Sequence, residues 1–186
     1  MHNLNDTIVA ISSPPSGARD IVRLTGPDTV TTCEQIFSPP ISSCVMRDAY
    51  REKGKTTNAI RNSGLTAGTV AVDDELKLDA HLYLFLAPHS YTGEDVAEIH
   101  VLANRAVTEA IVANLLGRGL RLARPGEFTA RAYLNGKIDL AQAEAVNEIV
   151  VSSNRYQLAA AEKLLSGRLG QISKKACSEI MDCLSL

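Results

Sequence analysis

Short apolar runs separated by polar turns make up the first two thirds of the chain. Some runs are rich in β-branched residues or alternate apolar with polar positions, which predicts strands. Others repeat apolar positions every three or four residues, which predicts helices. The predicted strands are 7–12, 20–25, 67–72, 80–86, 95–102 and 120–124, and the predicted helices are 27–37 and the segment from Asn104, a candidate cap, to Gly117. Residues 38–66, rich in Ser, Pro, Lys and Arg, are interpreted as a long connection that can hold an edge hairpin.

The strand predicted at 80–86 has apolar residues on both faces. Ala80, Leu82 and Leu84 fill one face, and Tyr83 and Phe85 make the other partly apolar. A strand that is apolar on both sides is typical of the middle of a sheet. We therefore expect an α+β domain over residues 1–120, with a mixed sheet and helices.

The pattern becomes helical after residue 120. A short helix is predicted between Pro125 and Leu134, and Asp139 followed by Gln142 has the form of a capping box that starts another. Apolar residues then recur every three or four positions to the end of the chain, without a proline. This predicts one long helix, and residues 121–186 are interpreted as the incomplete first part of an all-α domain.

Gly167 and Gly170 are the two weak points of the predicted long helix. Glycine costs up to about 1 kcal/mol relative to Ala in a helix interior, so either residue can bend or split the helix. Because helices are stabilised mainly by tertiary packing, we expect this segment to lie against another part of a protein.

Composition excludes several classes of protein. The 186 residues are 45% hydrophobic and 22% charged, which is typical of a globular protein and excludes a fibre or a disulfide-stapled miniprotein. A net charge of −2 and the lack of Trp argue against a dedicated nucleic-acid binder, which is usually strongly basic. No apolar run approaches the ~20 residues of a membrane span and no signal-peptide pattern opens the chain, so we expect a cytoplasmic protein without membrane contact.

Neither the cysteines nor the histidines have the spacing of a metal site. The cysteines are residues 33, 44, 177 and 183, without a C-x-x-C pair, and the histidines are residues 2, 81, 89 and 100. We therefore predict no metal ligands, and no residue stands out as a catalytic base or nucleophile.

Three charged residues lie at positions where a charge needs an explanation. Arg23 is in an otherwise apolar strand, and Glu98 lies between apolar neighbours in another strand. Lys137 is in the link between two predicted helices. Each has an ordinary structural interpretation: an arginine at a sheet edge, a paired carboxylate and a solvated lysine. Together, two cations and one carboxylate could also bind a ligand that has both an N–H edge and acidic groups.

Three motifs resemble those of the MnmE family of tRNA modification GTPases, also called TrmE. The first combines Asp6–Ala10, Pro14-Pro15 and Ile21–Gly26, the second is Ser90–His100, and the third covers 123–129 and 131–145. Their order and approximate spacing are similar to those of the family from residue 6 to about residue 170.

The resemblance implies a fold and a set of ligands. The N-terminal domain would be of the aminomethyltransferase type that binds folate, and it would form the family's homodimer. A tetrahydrofolate derivative, such as 5-formyltetrahydrofolate, would supply a one-carbon unit. The family's folate contacts fall on Arg23, Glu98 and Lys137.

The resemblance also implies parts and partners beyond this sequence. In the family, a GTPase domain that uses GTP, Mg²⁺ and K⁺ is inserted in the helical domain. Together with a flavoprotein of the MnmG (GidA) type, the family modifies the wobble uridine of tRNA. These 186 residues contain no recognisable phosphate loop of such a domain. We therefore interpret the chain as a fragment of a GTPase of this kind.

Two loops differ from the family pattern. Ser16, Arg19 and Asp20 occupy a turn that is glycine-rich in the family, and Ala103-Asn104-Arg105 stands where a His-Gly-Gly-Pro-like stretch is usual. Both lie where a ligand or a second subunit would approach. Two alternatives therefore stay open: a dimerisation module that has lost its ligand, and a stand-alone folate-dependent one-carbon enzyme.

Overall fold

The chain forms two compact units, Met1–Arg124 and Pro125–Leu186. The computed structural model describes residues 5–14, 17–38, 64–73 and 75–184. The hairpin predicted within 38–66 lies almost entirely outside the described residues.

The first unit is built on a seven-stranded mixed sheet with two helices. In chain order the elements are β1 (Ile8–Ile11), β2 (Arg19–Thr25), α1 (Thr29–Ile36), β3 (Phe37–Ser38), β4 (Gly64–Ala71), β5 (Lys77–Phe85), β6 (Val96–Leu102), α2 (Arg105–Gly117) and β7 (Arg121–Leu122). The strand order is β3-β4-β5-β6-β2-β1-β7, and every pair of neighbours is antiparallel except β1 and β7. The predicted combination of a mixed sheet with helices is confirmed.

All six predicted strands are present, and β5 is central as expected, between β4 and β6. Strand β3 was not predicted, because Phe37 was assigned to the end of the preceding helix. In the structure the backbone of Phe37 is extended, its side chain is buried, and it pairs with Val70 of β4. A strand of two residues is too short to produce a periodic pattern, so only the pairing reveals it.

One face of the sheet and both helices enclose a single hydrophobic core. Alternate strand residues such as Val22, Leu82 and Ile99 are fully or almost fully buried there. Ile111 of α2 is also fully buried there. The side chain of Asn104 caps α2 as predicted, because it accepts hydrogen bonds from two backbone N–H groups of the first turn.

The opposite face of the sheet carries a cluster of polar side chains on its central strands. On β2 it carries Arg19 and Arg23, on β5 Tyr83, and on β6 Glu98 and His100. Side chains alternate between the two faces along a strand, so these five point away from α1 and α2. We call this surface the polar face.

The second unit consists of four helices: α3 (Glu127–Leu134), α4 (Leu140–Val151), α5 (Arg155–Leu165) and α6 (Arg168–Leu184). The capping box predicted at Asp139 and Gln142 is present at the start of α4. The single long helix predicted after it is wrong, since three helices occupy this segment. The first break falls at Ser152–Asn154, where Asn154 caps α5 with its side chain.

The second break falls at Gly167, which has a φ of +73° and separates α5 from α6. Gly170 does not break the chain and lies inside α6. Both glycines adjoin the capping box of α4. A Cβ on Gly167 would lie 3.1 Å from Nε2 of Gln142, and a Cβ on Gly170 would overlap the Asp139 carboxylate. The two glycines therefore allow the chain to pass close to the start of α4.

Helix α6 is amphipathic and buries none of its residues. Its apolar side chains include Leu169, Ile172 and Ile180, which are all more than half exposed. Among the helices of the described ranges, none has the length and apolar character needed to cross a bilayer.

Candidate ligand-binding site on the polar face of the sheet

The centre of the polar face is an ion pair between neighbouring strands. Arg23 of β2 and Glu98 of β6 are directly opposite each other in the strand register. Nε and Nη2 of Arg23 each lie 2.8 Å from Oε1 of Glu98. The side chains are 33% and 18% exposed, so the pair is accessible from one side only. The paired-carboxylate interpretation of Glu98 is the arrangement that the structure contains.

His100 contacts the second oxygen of the same carboxylate. Its Nε2 lies 3.2 Å from Oε2 of Glu98. Tyr83, which is opposite Glu98 on β5, places its ring centroid 4.5 Å from that of His100 at an interplanar angle of 43°. His100 and Tyr83 were not predicted as site residues. For His100 the available signal was that it shares a strand face with Glu98, two residues away on β6. For Tyr83 the sequence contains no comparable signal, because it does not show that β5 and β6 are neighbours.

A loop closes one end of the polar face. The loop carries the first half of the second sequence motif, Ser90–Asp95, and ends at β6. Thr25, two residues after Arg23 on the same side of β2, has its Oγ1 2.7 Å from that of Thr92 and donates to Glu94 at 3.2 Å. Both threonines are fully buried. The first half of the motif is therefore fixed to the strand that carries Arg23.

The other end of the polar face opens into a groove of about 690 Å³. Its charged and imidazole side chains are Arg19, Asp79, His81 and His100. His81 and His100 are opposite each other on β5 and β6. Because His100 also contacts Glu98, the groove is continuous with the Arg23–Glu98 pair.

Lys137, the third predicted ligand contact, belongs to the second unit. It lies between α3 and α4, and its backbone N–H donates to the Ala132 carbonyl oxygen at 2.9 Å. The residue is exposed. The structure thus brings Arg23 and Glu98 together on one surface, and the ligand role of Lys137 stays a prediction.

The third motif also contributes a buried ion pair that was not predicted. Nη2 of Arg131 lies 3.6 Å from Oε1 of Glu127, one turn earlier in α3, and the two side chains are only 2% and 1% exposed. Buried charges are tolerated when they are paired and hydrogen-bonded. Their pairing therefore allows two charged side chains of α3 to be buried.

Residues at the two atypical loops have structural partners. Asp20 accepts hydrogen bonds from Ser13 at 3.1 Å and from Thr108 at 2.8 Å, which ties β2 to α2. Asn104 is the cap of α2. Ser16 lies outside the described residues. Among the residues that the structure describes, no group of three or more His, Cys, Asp or Glu side chains could hold a metal ion.

The first two motifs lie in the strands and the loop around the polar face of the mixed α/β unit, and the third lies at the start of the helical unit. The family described as GTP-binding protein TrmE N-terminus matches residues 7–137. The chain belongs to this family, whose full-length members are named MnmE.

Individual relatives agree with this assignment. The chain is 41% identical to the tRNA modification GTPase MnmE of Protochlamydia amoebophila over 88% of its own length and 33% of the relative. It is 36% identical to that of Lacticaseibacillus paracasei over 97% and 36% of the two lengths. For Bacillus subtilis the identity is 34%, over 97% and 37%. The chain therefore spans about a third of the curated relatives that it matches.

Proposed function

We propose that this chain is the folate-binding and dimerising N-terminal part of a tRNA modification GTPase. The observation that carries the proposal is the meeting of Arg23 and Glu98 on one accessible surface. They are supplied by two strands that each belong to one of the family's motifs. The identity of 34–41% to proteins named tRNA modification GTPase MnmE supports the wider function.

The expected ligand is 5-formyltetrahydrofolate or another tetrahydrofolate derivative. Its pterin ring has adjacent amino and ring N–H donors, which suit a carboxylate because an ionised carboxylate only accepts hydrogen bonds. Glu98 is the carboxylate of the polar face that lies beside Arg23, which suits it to this role. Arg23 and Lys137 would bind the carbonyl group or the glutamate carboxylates of the ligand. These two cations differ in that arginine can bind a carboxylate with two parallel hydrogen bonds, whereas lysine acts as a compact charge.

Binding of the pterin edge requires a change of partners at Glu98. In the structure Oε1 takes two donors from Arg23, and Oε2 lies within hydrogen-bond distance of His100. A carboxylate has about four lone-pair positions, so a ligand finds only one left. Arg23 would turn from Glu98 to the ligand, which frees Oε1 for the pterin. The ion pair is then the ligand-free state of the site.

The remaining functions belong to the assembled protein. GTP, Mg²⁺ and K⁺ would bind to a GTPase domain elsewhere in a full-length protein, and tRNA and a flavoprotein of the MnmG type would be its partners in the cytoplasm. Dimerisation is proposed for the first unit. Leu65 and Phe85, on the polar face, are 40% and 38% exposed and offer apolar surface to a second copy.

The test is calorimetric titration of 5-formyltetrahydrofolate into the chain and into Glu98→Gln. Loss of the charged acceptor should weaken binding by about tenfold or more, because one hydrogen bond to a charged group contributes at least that much to affinity. Glu109→Gln, which changes an exposed glutamate on α2, is the matched control and should bind like the parent. Equal affinity of the parent and Glu98→Gln contradicts the role of Glu98. A folded dimer that binds no folate would favour the dimerisation module, and one-carbon transfer by this chain alone would favour the stand-alone enzyme.

A further inference from the structure

We infer that the groove beside the ion pair binds the γ-linked oligoglutamate tail of a folate, with Arg19 as the residue that selects for tail length. The inference rests on the proposed folate function and names a second part of the ligand. Neither Arg19 nor the other groove residues were predicted as ligand contacts.

The two ends of the polar face differ in the space that they leave for a ligand. A pterin on Glu98 cannot extend past Thr25, because that end of the polar face is filled by the buried contact between Thr25 and Thr92. The opposite end is the groove. Arg19 lies four residues before Arg23 on the same side of β2, which is about 13 Å along a strand. An aminobenzoyl spacer is shorter than this distance, so the first glutamate of a folate would lie before Arg19 and the added glutamates would reach it.

The groove contains side chains that can bind both the carboxylates and the amide groups of a glutamate tail. Each added glutamate of a γ-linked tail contributes one carboxylate and one amide N–H. Arg19 is an exposed guanidinium suited to the carboxylate, and Asp79 can accept from the amide. His81 and His100, which are paired across β5 and β6, also line the groove and offer ring nitrogens as hydrogen-bonding groups. A ligand without N–H donors would leave Asp79 without a favourable contact, whereas the amide N–H groups of an oligoglutamate can donate to its carboxylate.

The groove and the Arg23–Glu98 pair are connected through His100. His100 lines the groove and contacts Oε2 of Glu98, so one side chain borders both the pterin position and the tail position. A tail in the groove would therefore lie against the residue that fixes Glu98.

The test compares the monoglutamate and triglutamate forms of 5-formyltetrahydrofolate by calorimetry. The parent chain should prefer the triglutamate by about tenfold, and Arg19→Gln should bind both forms with equal affinity. Arg118→Gln, an exposed arginine outside the groove, is the control and should keep the preference. The preference should also shrink from low to high salt in the parent, because salt screens exposed charges, and Arg19→Gln should show no such change.

The outcomes separate the two hypotheses. If the monoglutamate does not bind to the parent chain, the proposed folate function is wrong and the tail site is wrong with it. If the monoglutamate binds but the parent shows no preference for the triglutamate, only the tail site is wrong. A preference that survives in Arg19→Gln also overturns it. Circular dichroism confirms that the variant is folded, which is expected because Arg19 is exposed.

Discussion

Arg23 and Glu98 are 75 positions apart in the chain, yet two nitrogens of the guanidinium meet a single oxygen of the carboxylate across adjacent strands. Both side chains are only partly exposed, so water screens the pair less than it screens ion pairs on helix surfaces. The same pair is thus a structural contact within the sheet and the candidate ligand site.

The first prediction is a measurable coupling between these two residues. A double-mutant cycle with Arg23→Gln and Glu98→Gln, read from urea denaturation, should give a coupling free energy of about 1 kcal/mol. The pair Arg105 and Glu109, whose side chains are 89% and 56% exposed, is the matched comparison and should couple more weakly because water and salt screen it. Equal coupling in both pairs would show that the position in the sheet adds nothing.

The second prediction concerns two buried threonines. Oγ1 of Thr29 is buried without a hydrogen-bond partner among the described residues, whereas Oγ1 of Thr25 contacts Thr92 and Glu94. Thr29→Val should raise the free energy of unfolding by about 1 kcal/mol, and Thr25→Val should lower it by about 1–2 kcal/mol, because only the second change breaks hydrogen bonds. Chemical denaturation measures both, and a loss of stability in Thr29→Val would contradict the assignment of an unpaired hydroxyl.

The third prediction uses two glycines two residues apart. Gly117 ends α2, and Gly119 follows with a φ of +95°, while neither would place a Cβ within 4 Å of another group. Gly117→Ala should stabilise the protein by about 0.5 kcal/mol, since it lowers the entropy of the unfolded chain. Gly119→Ala should destabilise it by about 1 kcal/mol, because the left-handed backbone is unfavourable for alanine. Thermal unfolding of the two variants gives the sign, and the same sign in both would refute the backbone explanation.

The fourth prediction concerns the thiol of Cys33. Burial, with a smaller contribution from the charge of Glu34, raises its pKa from 9.0 to about 12. Iodoacetamide at pH 8 should therefore label the exposed Cys177 and Cys183 and leave Cys33 unmodified, as measured by peptide mass spectrometry. Labelling of Cys33 at a similar rate would show that the core opens readily.

The same pKa has a consequence for stability. The folded thiol keeps its proton up to about pH 12, whereas the unfolded thiol loses it near pH 9.0. The contribution to stability is therefore fully present below pH 9 and is lost as the pH rises towards 12. Cys33→Ala should make the decline of the unfolding free energy across this range shallower than in the parent chain. An unchanged slope would contradict the raised pKa.

Much of the fold could be predicted because the signals are local. The strand alternation, the Asn104 cap and the capping box of Asp139 each involve neighbouring residues. The break at Ser152–Asn154 was missed because apolar spacing continues across it, while the cap formed by Asn154 is a single polar residue in that pattern. The close approach of Gly170 to Asp139 depends on tertiary packing, which spacing does not reveal.

The candidate site could be predicted only in part, for the same reason. Arg23 and Glu98 were noticed as charges among apolar neighbours, but their mutual contact depends on β2 and β6 being adjacent. His100 and Tyr83 join the site through the pairing of β5 with β6. Strand order is a long-range property, so the sequence identified candidate residues without identifying their partners.

The contact between Arg23 and Glu98 depends on the register in which β2 pairs with β6. If β6 slid by one residue, Glu98 would turn into the apolar core and Ile99 would turn towards the polar face. Only the correct alignment places the carboxylate beside Arg23. A ligand held by Glu98 would therefore bind the correctly aligned sheet alone and stabilise it by mass action. Such a ligand, present during refolding, should then increase the yield of native protein.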